Sequence, residues 1–208
     1  MTFLSYYGLS FNPFDKQQVK EKDRFLSNDL QEMINRLDYL KDTRGIGLFT
    51  AGPGMGKSFG LRCFNKSLNP NLYHMEYICL STVSVMEFYR QLCAVLGLEA
   101  KGGKPYLNNT LRKPVHEALR QRITVHYNFS GLSDAEVASY IRHKIACAAG
   151  SESIIDPAAL SAVHSHSQGN PRVIDNLMTQ ALLLGQQLDK KVIDPELILA
   201  AVSDLNLL

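Results

Sequence analysis

Residues 51–58 read Ala-Gly-Pro-Gly-Met-Gly-Lys-Ser, and they follow Ile46-Gly-Leu-Phe-Thr50, a run with strand character. A glycine-rich turn that leads from a strand into a helix aims several backbone N–H groups and the helix N-terminus at one point, a cradle for phosphate oxygens. In such a loop the lysine, here Lys57, reaches the β- and γ-phosphates, and the hydroxyl after it, Ser58, ligates Mg²⁺. The full spacing is G-x-x-x-x-G-K-[ST], and Ala51 stands at its first glycine. Alanine fits there provided its φ is negative. The expected phosphate-contacting set is therefore Gly52, Pro53, Gly54, Met55, Gly56, Lys57, Ser58 and the following Phe59. The chemistry predicted is binding of a nucleoside triphosphate.

The elements that must hold this loop can be read on either side of it. Asn28 to Lys41 has helical spacing, with Asn28 or Asp29 able to cap it. Phe59 to Phe64 continues the loop as a helix. Leu72 to Leu80 reads as the next strand and Ser84 to Leu96 as a helix, a β-α-β-α order that implies a parallel sheet with flanking helices. Val115 to Arg122 reads as helical, and Ile123 to Phe129 alternates as a strand. Beyond it every start signal is helical. Ser133-Asp-Ala-Glu136 is a capping box, Asp156-Pro157 and Asp194-Pro195 each place a cap before a first-turn proline, and Asn170-Pro171 opens a further helix. The fold class expected is α/β, with residues 1–130 forming an N-terminal arm and nucleotide-binding domain. Residues 131–208 would form a small all-helical domain. The aromatic arm at residues 1–30 has two readings that are not exclusive: packing on the core, or covering the base of the nucleotide.

Composition is that of a globular chain, 45% hydrophobic and 20% charged, with a formal net charge of +2. So balanced a charge confines any nucleic-acid surface to a local patch. No apolar run approaches the roughly 20 residues that span a bilayer. The N-terminal residues show no basic segment followed by an apolar one, so no signal peptide and no membrane contact are expected. Cys63, Cys79, Cys93 and Cys147 are scattered with no C-x-x-C pair. Three lie in apolar stretches, where buried free thiols are the default, so a reducing cytoplasm is expected. His164 and His166, two apart on a helix, point to different sides and do not suggest a metal pair. Arg142 and Lys144 read as solvated surface residues.

Four segments together resemble the AAA+ ATPases, and more closely the branch with ExeA/GspA-type secretion ATPases and transposition helpers of the TnsC, TniB and MuB sort. Tyr7-Gly-Leu-Ser-Phe-Asn-Pro-Phe14 is similar to that branch's N-terminal signature, and Gly52 to Ser58 to its Walker A motif. Leu119-Arg-Gln-Arg-Ile123 is similar to the segment that closes its nucleotide domain, and Gly169-Asn-Pro-Arg-Val-Ile-Asp-Asn-Leu177 to its sensor-2 motif. The resemblance implies ATP and Mg²⁺ as cofactors and a C-terminal helical lid. It implies catalytic roles for Lys57, Arg172 and Arg122. Arg172 would reach the γ-phosphate from the lid, and Arg122, with Arg120 as the alternative, would be an arginine finger acting on a neighbouring subunit's site. That arrangement implies a homo-oligomer, a ring or a filament.

The family's Walker B and sensor 1 segments lie between these motifs, and neither is present: no apolar run ending in Asp or Asp-Glu occurs between Ser58 and Arg122. Either the sequence is joined across an absent segment near Pro105/Tyr106, or the middle is deleted and leaves a nucleotide binder without hydrolysis. Lys101, Lys104, Arg112 and Lys113 cluster near that point, either as a solvated loop or as a grip on a DNA backbone. The function expected is an ATP-dependent DNA-binding helper of transposition or recombination, with double-stranded DNA and a transposase or recombination protein as partners. A secretion-associated ATPase of the ExeA type and a non-hydrolysing nucleotide-dependent scaffold are the alternatives.

Overall fold

The computed structural model describes residues 2–15, 23–43, 45–78 and 123–206, together with 84, 87, 90 and 91. The glycine-rich loop is set in place by β1 (Ile46–Thr50), which runs parallel to β2 (Ile123–Asn128). Their register runs from Ile46 opposite Ile123 to Thr50 opposite Asn128, with an irregularity between Ile46 and Gly47. At the exit of both strands the Thr50 hydroxyl donates to Asn128 Oδ1 at 3.0 Å. Helix α2 (Asn28–Thr43) packs on both strands and on α3 (Lys57–Ser67), burying Leu30 and Met33.

The C-terminal helices begin where local chemistry says they should. Helix α4 (Asp134–Cys147) opens with both halves of a capping box between Ser133 and Glu136. For α5 (Pro157–Ser167), Asp156 accepts from the Ala158 N–H at 2.8 Å with Pro157 in the first turn. Helix α6 (Pro171–Gln187) is capped by Asn170, and α7 (Pro195–Asn206) follows Asp194, which accepts from the Leu197 N–H at 2.8 Å. Each such cap satisfies an N–H that the helix itself leaves unpaired. Helix α6 is the centre of this group. It buries Ile174, Leu177, Met178, Ala181, Leu182 and Gly185, one face at helical spacing, against α5 and α7.

The N-terminal arm belongs to the same core. After the short helix α1 (Phe3–Tyr7), Tyr7, Leu9 and Phe14 are buried among the residues of α4 to α7. The Tyr7 hydroxyl donates to the Lys190 carbonyl at 2.8 Å, and the Ser10 N–H to the Ala148 carbonyl at 2.9 Å. Burial, and secondarily the neighbouring Tyr6, pushes the Tyr7 phenol up to about 12.

A carboxylate joins the two groups of helices. Asp29, buried at the start of α2, accepts from the Tyr127 hydroxyl at 2.5 Å and the Gly131 N–H at 2.8 Å. Glu136 on α4 in turn accepts from the Asn28 N–H at 2.7 Å.

Two sequence expectations need correction. Residues 73–78 of the strand expected over Leu72–Leu80 have no strand pairing, and Leu72 and Tyr77 are 74% and 60% exposed. Alternation shows that a segment could pair but not that a partner edge exists; the described strands form a sheet of two, β1 and β2. Lys144, expected in solvent, is buried. The expected helices at 84–96 and 115–122 lie largely outside the described residues.

Candidate nucleotide-binding site

The loop after β1 turns back on itself through two glycines in the left-handed region, Gly54 at φ +90° and Gly56 at φ +93°. Only glycine adopts such angles without strain. Ala51 is not among the residues with positive φ, which meets the condition for alanine at the first motif position. Gly56 is the N-cap of α3, and no side chain caps this helix. Its first-turn N–H groups and the positive end of its dipole therefore face the loop's concavity. The Lys57 ammonium donates to the carbonyls of Ala51 at 2.7 Å and Gly52 at 3.0 Å, folded back over the loop.

This concavity opens into a cavity of about 680 Å³, a volume suited to a small-molecule ligand. Pro53, Gly54, Met55, Gly56, Lys57, Ser58 and Phe59 line one end, with Arg62 one turn along α3. Gly52 does not line it. Arg172, on the first turn of α6, lines the same cavity from the helical side, so the structure brings this arginine to the loop. The two surfaces touch: a Cβ on Gly54 would lie 2.7 Å from the Arg172 Cβ. Asp23, Arg24, Phe25 and Ser27 form a further wall. Of the two readings of the arm, packing on the core is what Tyr7, Leu9 and Phe14 do, and Phe25 lines the cavity. Arg120, Arg122, Lys101, Lys104, Arg112 and Lys113 lie outside the described residues.

The cavity wall holds a polar group that the sequence reading missed. The Lys144 ammonium lies 2.7 Å from Asp175 Oδ1, and the Tyr140 hydroxyl donates to the same oxygen at 2.8 Å. Burial, then the adjacent Asp175 carboxylate, pushes the Tyr140 phenol well above its ordinary range. Phe25 packs edge-on to Tyr140, with ring centroids 5.5 Å apart. A signal for Lys144 was available: it falls seven residues after Val137 and three after Ile141, on the apolar stripe of α4. Asp175 is three residues after Arg172 and so lies on the same side of α6.

ATP fits these residues in kind: a loop with exposed N–H groups, a lysine and an opposing arginine. For Mg²⁺ the phosphate loop offers the Ser58 hydroxyl. Among the described residues no group of three His, Cys, Asp or Glu side chains could hold a metal ion.

Comparison with known proteins points the same way. Residues 40–137 match the family described as AAA domain. Cdc6p from Pyrobaculum aerophilum is similar in structure, with TM-score 0.58 and 13% identity over 92% of this chain and 70% of that one. The Orc1 protein of Aeropyrum pernix, solved in complex with DNA, superposes with TM-score 0.55 and 12% identity, covering 90% of this chain and 68% of that one. The fold is that of a P-loop NTPase. The matched domain contains the phosphate loop of that fold. The chain is also 37% identical over 81 residues to General secretion pathway protein A of Aeromonas hydrophila, which is 39% of this chain and 15% of that protein. It thus spans about 15% of the length of the curated relative it matches. Among the described residues no helix is long and apolar enough to cross a membrane.

Proposed function

We propose that the chain is an ATP-binding AAA+ protein whose helical unit, residues 131–208 with the N-terminal arm, acts as a lid over the nucleotide. The observation that carries this reading is the meeting of Arg172 with the Gly54–Lys57 loop across one cavity. The triphosphate would lie on the N–H groups of the loop, with Lys57 leaving the Ala51 and Gly52 carbonyls for the β- and γ-phosphates. Arg172 would meet the γ-phosphate from the lid, so that lid position would follow nucleotide state. Ser58 would hold Mg²⁺, which would offset the charge of the phosphate oxygens. Arg122 would act in a neighbouring subunit's site, within a ring or filament held by head-to-tail contacts.

The biological role proposed is that of a cytoplasmic, ATP-dependent DNA-binding helper of transposition or recombination. The residues proposed to grip duplex DNA are Lys101, Lys104, Arg112 and Lys113. A structural relative solved with DNA supports this reading. The test is fluorescence anisotropy of labelled duplex DNA with ATP, with ADP and without nucleotide, at two salt concentrations. Binding that needs ATP and weakens with salt is expected. No DNA binding in any nucleotide state would remove the helper role. The 37% identity to General secretion pathway protein A favours a second reading, a secretion-associated ATPase. ATP-dependent association with membranes, in the absence of DNA binding, would select it.

A further inference from the structure

One side chain ties the phosphate loop to the helix that carries Arg172. Both ends of the Asn170 amide are engaged. Its Oδ1 accepts from the Arg172 N–H at 3.0 Å, which caps α6, and its Nδ2 donates to the Pro53 carbonyl at 3.0 Å. The partners fix the amide's orientation, because a flipped amide would set NH₂ against N–H and oxygen against carbonyl. Packing supports the same link: a Cβ on Gly54, the residue after Pro53, would lie 2.7 Å from Asn170 Oδ1. The backbone before α6 is anchored too, with the Leu132 N–H donating to the Gly169 carbonyl at 2.9 Å.

Capping alone does not call for asparagine. Serine and aspartate cap a helix about as well, and Pro171 already favours a helix start here. What asparagine adds is an amide donor beside the capping oxygen, and that donor is spent on Pro53.

We infer that Asn170 is a positioning residue, a latch that couples the tip of the phosphate loop to Arg172 and so to recognition of the terminal phosphate. The inference rests on the reading that the loop and Arg172 hold a nucleoside triphosphate. Movement of the Pro53 carbonyl is passed through one side chain to the first turn of α6, two residues from the arginine. Without the latch the helix keeps its cap but loses its register against the loop.

Asn170→Ser separates the two functions, since serine keeps a neutral cap and gives up the amide donor. The experiment measures ATP and ADP affinities by fluorescence titration, with thermal unfolding alongside, for the parent, Asn170→Ser, Arg172→Ala, the double variant and Lys57→Ala. Asn170→Ser is expected to unfold within about 2 °C of the parent. It should bind ADP within about twofold and ATP about threefold to tenfold more weakly. In the double variant the ATP-to-ADP preference should be no lower than with Arg172→Ala alone, because the two residues act as one unit. If Arg172→Ala lowers that preference and Asn170→Ser leaves it at the parent value, the latch is overturned while the site reading stands. Equal weakening toward ATP and ADP, with a lower unfolding temperature, would make Asn170 a structural cap only and also overturn it. Undiminished ATP binding by Lys57→Ala would bring down the site reading and the latch with it.

Discussion

Removing the carboxylate of Asp175 should destabilise the helical unit far more than a typical single substitution. The Lys144 and Asp175 side chains are 10% and 7% exposed and lie 2.7 Å apart. The same Asp175 oxygen receives the Tyr140 hydroxyl at 2.8 Å, so Asp175→Ala strips both donors of that acceptor at once. The ammonium also lies over the ring of Tyr140 at 4.8 Å and near that of Phe14 at 5.5 Å. Breaking a buried ion pair from one side costs about 3–5 kcal/mol. For a chain of this size each kcal/mol lowers the midpoint by about 2–4 °C, so a drop of roughly 10 °C is expected. Replacing both partners by apolar residues of similar volume removes the cost of the buried charges and leaves only the Tyr140 hydroxyl without this acceptor. Lys144→Met with Asp175→Leu should therefore unfold within about 2 kcal/mol of the parent. Far-ultraviolet circular dichroism on the parent, both single variants and the double variant gives the comparison. The reasoning fails if Asp175→Ala melts within about 2 °C of the parent, or if the double variant is no more stable than the weaker single one.

Acid should loosen the junction between α2 and α4. Burial alone would raise the Glu136 carboxyl. The Asn28 and Ser133 N–H groups and the Ser133 hydroxyl outweigh it and hold the carboxyl below its ordinary value of 4.5. With the folded value depressed, the stabilisation is complete above about pH 4.5 and is lost as pH falls through the folded value. Glu136→Gln should accordingly flatten the stability profile in that acid window, as read by urea denaturation across pH. Gly54→Ala should weaken nucleotide binding out of proportion to its effect on folding. Its left-handed backbone adds roughly 1–2 kcal/mol of strain for alanine, and the new methyl would meet Arg172 and Asn170 at 2.7 Å. Isothermal titration with ATP beside a melting curve separates the two effects; full ATP affinity with a lowered melting temperature would refute the prediction.

How much of this was legible in the sequence follows from how local each signal is. The helix starts at Ser133, Asp156 and Asn170 were readable because a cap and its N–H lie within a few residues of each other. The phosphate loop was readable because three glycines, a lysine and a serine at fixed spacing do one recognisable thing. Lys144 was misread because its burial depends on Asp175, 31 residues away, although its place on the Val137–Ile141 stripe pointed inward. The second hydrogen bond of Asn170 joins residues 117 apart, and nothing at either end announces it. The stretch from Leu72 failed for the same reason, since a strand is defined by a neighbour that the sequence does not name. For the arm at 1–30, the aromatic residues to Phe14 announced packing, and they entered the helical core; that the segment from Asp23 lines the cavity depends on residues far along the chain.

The central claim is that the loop from Gly52 to Ser58 and the lid arginine form one nucleoside triphosphate site. Isothermal titration of ATP into the parent, Lys57→Ala and Arg172→Ala tests it most directly. The account predicts saturable Mg²⁺-dependent binding by the parent. Lys57→Ala should lose that binding, and Arg172→Ala should lose its preference for ATP over ADP. Parent protein that binds neither nucleotide, or binding indifferent to Lys57, would contradict it.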